Sequence, residues 1–139
     1  MTYEEKGAWV YGLVALVVWG GYVAVVLQRT GGGPVTDVRY VPVLLWSIGV
    51  SVLLRMVVRI LVEVVRPSET QRPDMRDREI DRRGEYVGGF VLAVAMVLPF
   101  CLTLAESDHF WVANAMYLAY VLGAIVASVV KVVVYRRGF

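Results

Sequence analysis

The chain has 139 residues and a net charge of +2, and 58% of its residues are hydrophobic against only 19% charged, giving a mean hydropathy of +0.63. That composition excludes intrinsic disorder and a soluble enzyme with a conventional polar surface, and it assigns the chain to a membrane. The 14 Lys and Arg against 12 Asp and Glu leave no basic excess for nucleic acid, and the single Cys101 can build neither an intrachain disulfide nor a thiolate cluster.

The first uncharged run is Gly7 to Gln28, long enough at about 1.5 Å per residue to cross a hydrocarbon core of about 30 Å. Glu4 and Glu5 precede it and no small-x-small cleavage site follows, so it reads as a retained span. Three glycines and Pro34 in Thr30-Gly31-Gly32-Gly33-Pro34 then stop the helix, through entropy and a missing N–H. A second span runs over residues 40–65, with Pro42 in its first turn and Pro67 beyond its end. The third covers 86–105, with Pro99 as a kink, and the fourth 109–131. Between these two lies a short turn with Ser107 or Asp108 as helix N-cap, which makes them an antiparallel hairpin. The expected fold class is all-α, an integral membrane four-helix bundle in a single domain over residues 1–139, with a charged connection over 66–85.

Orientation follows from the loops, because basic residues near span ends stay cytoplasmic. Lys6, Arg66, Arg72, Arg76, Arg78, Arg82, Arg83, Lys131, Arg136 and Arg137 share one side, and only Arg29 and Arg39 lie on the other. Both termini and the connection are therefore expected in the cytoplasm of a multi-pass cell-membrane protein, and dual topology is disfavoured. Trp9, Tyr11, Tyr40, Trp46, Phe110, Trp111 and Tyr135 fall near span ends, as interfacial aromatics do. Small residues at spacing four mark close helix approaches: Ala115, Ala119, Gly123 and Ala127 in span four, Gly20 and Ala24 in span one, Gly84 and Gly88 before span three.

The most informative polar feature lies in span two, where Ser47, Ser51, Arg55, Arg59 and Glu63 recur at spacing four and form one stripe. If hydrocarbon begins near Pro42, Arg55 is about 20 Å along the axis and about 10 Å short of the inner boundary. A guanidinium there costs a few kcal/mol, so Arg55 is expected to face the bundle and to find an internal acceptor, an anion or a lipid headgroup. Glu63 can pair with Arg59 or Arg66.

The connection contains six Arg and six acids, so its charge sums to zero and it is no simple polybasic anchor. Pro73-Asp74 reads as a helix start, and Asp74 with Arg78 and Glu79 with Arg83 are acid-first pairs at spacing four. A solvated helix continuing into span three follows. Asp74, Arg76, Asp77, Arg78, Glu79 and Asp81 become the candidate partner surface, with Asp77 or Asp81 placed to neutralise Arg59 or Arg66.

The stretch Asp74-Met75-Arg76-Asp77-Arg78-Glu79-Ile80, with the terminal Tyr135-Arg136-Arg137-Gly138-Phe139, resembles an uncharacterised family of small four-span prokaryotic membrane proteins. Those carry an Asp-Glu-Arg-Asp-like motif before the third span, and Met75 stands here in the place of their Glu. The resemblance covers mainly Asp74 to Phe139. It implies an integral membrane protein of unknown function, of a kind found beside small transcriptional regulators, and no catalytic residues.

Glu106, Asp108 and His109 are close in sequence, but helix capping explains them better than a metal, since one His and two neighbouring acids cannot close a tetrahedral site. With no phosphate loop, no His-Glu-x-x-His and no nucleophile beside a base, neither enzyme activity, cofactor nor metal is expected. The reading that results is a non-enzymatic regulatory or interaction protein whose cytoplasmic charged helix meets a protein partner, with the lipid bilayer around it and homo-oligomerisation compatible. The alternative is a small homo-oligomeric transporter or channel with its site at the Arg55, Arg59 and Glu63 stripe. Small multidrug exporters, though, carry an acid deep in the first span, where this chain has none.

Overall fold

The computed structural model describes residues 2–67 and 73–138, and it is helical almost throughout. Five helices follow in order: α1 Tyr3–Arg29, α2 Tyr40–Val65, α3 Met75–Ala95, α4 Val97–Leu104 and α5 His109–Arg137. Among the described residues, three runs are long and apolar enough to cross a membrane: α1, α3 taken together with α4, and α5. Residues 68–72, which include Glu69 and Arg72 of the charged connection, and the terminal Phe139 lie outside the described residues.

The helix ends follow local chemistry. The Thr2 hydroxyl accepts the Glu5 N–H and starts α1 four residues before the uncharged run, because charged side chains at an amino terminus extend a helix. Gly31 and Gly32, at φ of 53° and 86°, take the chain out of α1, and a 3-10 turn over Val35–Asp37 leads to α2. α3 breaks at Met96. Pro99 lacks an N–H and crowds the carbonyl four residues before it, so the ladder cannot pass unbroken. Glu106, at φ 52°, ends α4: its N–H reaches the Thr103 carbonyl and that of Ser107 reaches Leu102. This pair of bonds satisfies two orphan carbonyls at a position usually held by glycine. Asp108 then caps α5 by accepting the Phe110 N–H at 2.9 Å.

In space the helices lie in the order α2, α1, α5, α3, with each neighbour antiparallel. The tightest seam joins α3 to α5. A Cβ on Gly88 would stand 2.6 Å from the Ala127 Cβ and 2.7 Å from the Gly123 carbonyl oxygen, and one on Gly84 would overlap the Lys131 side chain. The spacing of Gly84, Gly88, Gly123 and Ala127, read as marking close helix approaches, falls on this seam. Gly20 and Ala24 do not act this way: both are exposed, with nothing within 4 Å of a Cβ on Gly20. The close approach of α1 to α5 falls instead at Gly12, whose Cβ would meet that of Ser128 at 2.8 Å.

At the end away from the termini, Tyr22, Val26 and Phe110 form a buried cluster closed by Tyr40, Tyr117 and the 3-10 turn. Tyr40 and Phe110 meet edge to face at 5.1 Å, so these two belong to the core and not to an interfacial belt. The Tyr22 hydroxyl donates to Asn114 Oδ1 at 2.7 Å, and the Asn114 amide donates to the Phe110 carbonyl, which leaves the buried polar atoms of this end partnered.

Candidate functional site

The opposite end of the bundle gathers the start of α1, the end of α2, the start of α3 and the end of α5.

Asp74 and Asp77 form a reciprocal capping box at the start of α3: the Asp74 carboxylate accepts the Asp77 N–H at 2.7 Å and Asp77 accepts that of Asp74 at 3.1 Å. Asp77 is 7% exposed and also accepts the Tyr135 hydroxyl at 2.9 Å. One turn on, Ile80 is fully buried, and Asp81 and Glu85 both take the Lys131 ammonium, at 2.6 and 2.5 Å. Residues 77, 80, 81, 84 and 88 thus form one face of α3 that docks on α5.

This arrangement corrects two expectations. Asp77 and Asp81 do not neutralise Arg59 or Arg66, because α3 packs against α5 and not against α2. Nor is Asp77 part of an exposed partner surface. The pairs Asp74 with Arg78 and Glu79 with Arg83 form no ion pair among the described residues, since capping has taken the Asp74 carboxylate and both arginines extend outward. What remains on the outer face is Arg76, Arg78, Glu79, Arg82 and Arg83, all exposed. Among the described residues of the connection, Asp74, Asp77, Asp81 and Glu85 are thus engaged by the cap, Tyr135 and Lys131, whereas Arg76, Arg78, Arg82 and Arg83, with Glu79 among them, stand exposed.

The polar stripe of α2 faces α1 and, toward the buried aromatic cluster, α5. Ser47 donates to the Leu44 carbonyl and meets the Tyr117 hydroxyl at 3.0 Å, and Ser51 donates to Ile48. Arg55 donates from Nε to the Ser51 carbonyl at 3.1 Å and holds its guanidinium 4.7 Å from the centre of the Tyr11 ring. It is half-buried and makes no ion pair among the described residues. Arg59 lies 4.1 Å over the Tyr3 ring and 3.5 Å from Glu4, while its Nε is buried without a hydrogen-bond partner. Gly7 makes this position available, for a Cβ there would stand 3.3 Å from the Arg59 Cζ.

Glu63 pairs with Lys6 at 3.5 Å, where Arg59 or Arg66 was expected, and the Lys6 ammonium also donates to the Arg66 carbonyl. The reason is again helix adjacency: the first turn of α1 lies beside the last turn of α2. A lysine there satisfies a carbonyl that the helix end leaves open.

Above the α1–α5 seam the polar groups surround two adjoining cavities. The lower, of about 170 Å³, is lined by Glu4, Gly7, Tyr11, Arg59, Asp81, Glu85, Ser128, Lys131 and Tyr135 among others. The upper, of about 290 Å³, is lined by Tyr11, Ser51, Arg55, Tyr117, Tyr120 and Ala124 among others, and Tyr11 is common to both. The contact of Ser47 with Tyr117 draws α2 toward α5 at the far end, whereas α2 and α3 are not packed on each other. The lower cavity is a groove with α1 and α5 as floor and α2 and α3 as walls, and the upper cavity continues it between α1, α2 and α5.

Comparison of the chain with family models, with curated proteins and with solved structures finds no match, so fold and site rest on their own geometry. Lys6, Gly7, Tyr11, Lys131 and Tyr135 are the residues of this site that sequence reasoning passed over. Lys131 and Tyr135, at spacing four near the end of α5, were visible as a pair, but nothing in the sequence marks them as facing the acids of α3.

Proposed function

We propose that this chain is a four-span protein of the cell membrane with both termini in the cytoplasm, acting without enzymatic activity as a regulatory or interaction protein through the amino-terminal turns of α3. Three apolar runs support the membrane assignment. For α2, support comes from its 26 residues and from Leu45, Trp46, Leu53, Val57, Ile60 and Leu61, exposed apolar side chains that an aqueous surface would not carry in such a run. The ten-to-two distribution of Lys and Arg supports a cytoplasmic charged end.

The observation that carries the interaction reading is the sorting of charge on α3. Asp77, Asp81 and Glu85 are held by α5, and Arg76, Arg78, Arg82 and Arg83 stand outward, with Glu79 the one acid among them, on a helix fixed at its base. A partner that fits presents an acidic face. Reversing all four arginines to Glu leaves the α5-facing contacts intact, so membrane insertion is expected to persist while capture of acidic cytoplasmic partners from native membranes falls to the level of a control membrane protein. If the wild-type chain captures nothing above that control, or the reversed chain captures the same set, the interaction reading gives way to transport through the α2 stripe. Reversing Asp77 and Asp81 would be a poorer test, because both residues hold the fold.

A further inference from the structure

We infer that the groove formed along α2 by the two adjoining cavities binds an anionic phospholipid of the inner leaflet, with the lipid phosphate on Arg55 and Arg59. The inference rests on the four-span orientation but concerns a different part of the molecule from the arginines of α3.

Four observations lead to it. Arg55 is the one charged residue lining the upper cavity. Its partners are a backbone carbonyl and an aromatic face, neither of which cancels a full positive charge, and at its expected depth an uncompensated guanidinium is costly. Arg59, one turn further along α2, keeps a buried Nε–H without an acceptor and has its nearest carboxylate only at 3.5 Å. The remaining acids of the lower cavity are not free for these arginines, since Asp81 and Glu85 both lie on Lys131.

The shape of the groove decides between a lipid and a small soluble anion. The upper cavity has more than half again the volume of the lower, and beyond Arg55 it is lined by Val18, Ile48, Val121 and tyrosine rings. That surface is suited to acyl chain and glycerol, and it would leave inorganic phosphate unsatisfied on one side. The upper cavity takes its lining from α1, α2 and α5 and none from α3, so it is open on that side and a lipid can enter sideways from the leaflet. Two guanidiniums one turn apart match a phosphodiester, which offers acceptors in two directions. Arg55, which has no carboxylate partner among the described residues, favours a lipid with net negative charge over a zwitterionic one.

The test is native mass spectrometry of the detergent-purified chain, equilibrated with an equimolar mixture of phosphatidylglycerol and phosphatidylcholine. Wild type is expected to retain phosphatidylglycerol preferentially. Arg55→Gln with Arg59→Gln should lower that retention about tenfold, the effect of losing one or two charge-assisted hydrogen bonds. Ala124→Phe, which fills the upper cavity and keeps both arginines, should lower it as well and covers the case in which the double variant fails to fold. Arg82→Gln, on the outer face of α3, should retain lipid like wild type. Equal retention of the two lipids, wild-type retention in Ala124→Phe or in a folded double variant, or displacement by millimolar inorganic phosphate would overturn the proposal. Side-selective cysteine labelling keeps the two ideas apart: an inverted labelling pattern removes the inner-leaflet frame, whereas the expected pattern without lipid retention overturns the lipid site alone.

Discussion

Replacing Gly88 by valine is expected to cost the fold about 3 kcal/mol or more, while the same change at Gly89, the next residue, stays within about 0.5 kcal/mol. At Gly88 the first added carbon would lie 2.6 Å from the Ala127 Cβ and 2.7 Å from the Gly123 carbonyl oxygen, and at Gly89 it would have no neighbour within 4 Å. Two of the obstructing groups, the Gly123 carbonyl and the Ala127 Cβ, are fixed to the backbone of α5, so relief requires the two helices to separate. Separation would also pull Tyr135 from Asp77 and Lys131 from Asp81 and Glu85, because all of these belong to the same seam. Thermal unfolding in detergent reads the difference directly. Equal melting of the two variants would mean that α3 and α5 do not meet along Gly84 and Gly88.

Asp77→Ala is expected to be the second severe change, at about 2–3 kcal/mol. Its carboxylate closes the capping box of α3, a role worth about 1 kcal/mol, and it accepts the Tyr135 hydroxyl in a charge-assisted hydrogen bond worth about 1.5–3 kcal/mol, the hydroxyl keeping only its contact with Thr2 when Asp77 is removed. Tyr135→Phe alone removes the hydroxyl and should be milder. In a double-mutant cycle the two should couple by about 1 kcal/mol, the mark of a direct contact. Glu79→Ala, exposed two residues away, should change stability by less than about 0.5 kcal/mol. A cycle with no coupling would show that Asp77 and Tyr135 do not meet.

These two residues also show where sequence reasoning ends. Helix bounds depend on local chemistry, and the glycines after Arg29, the prolines at 34, 42 and 67 and the cap at Asp108 mark them in the sequence. The α2 stripe was legible as well, since spacing four along one helix fixes which residues share a face. What periodicity does not contain is the order of helices in space. The sequence makes α2 and α3 neighbours along the chain, which invites pairing Asp77 and Asp81 with Arg59 and Arg66; the fold sets α1 and α5 between them. Lys6 illustrates the same point from the other side. Its charge was counted for orientation, yet its ammonium reaches Glu63 and the Arg66 carbonyl, and those partners are 57 and 60 residues away. Tyr11 and Tyr40, both read as interfacial, became a cover for Arg55 and a core ring once rotation about the helix axis was fixed by packing.

The motif before the third span takes on a structural meaning in this light. Asp74 and Asp77 start the helix, Ile80 buries its first turns, and Asp81 fixes it to Lys131. Its arginines, Arg76 and Arg78, take no part in that docking and stand exposed.

The central claim, a four-span protein with its charged end in the cytoplasm, is tested most directly by side-selective labelling of single cysteines in intact cells, in a Cys101→Ser background. Gly32→Cys, in the loop after α1, should react with a membrane-impermeant maleimide from outside. Glu79→Cys, exposed on α3, should react only after permeabilisation. Labelling of Glu79→Cys from outside with Gly32→Cys protected would contradict the orientation, and labelling of both from outside would contradict an odd number of crossings between them.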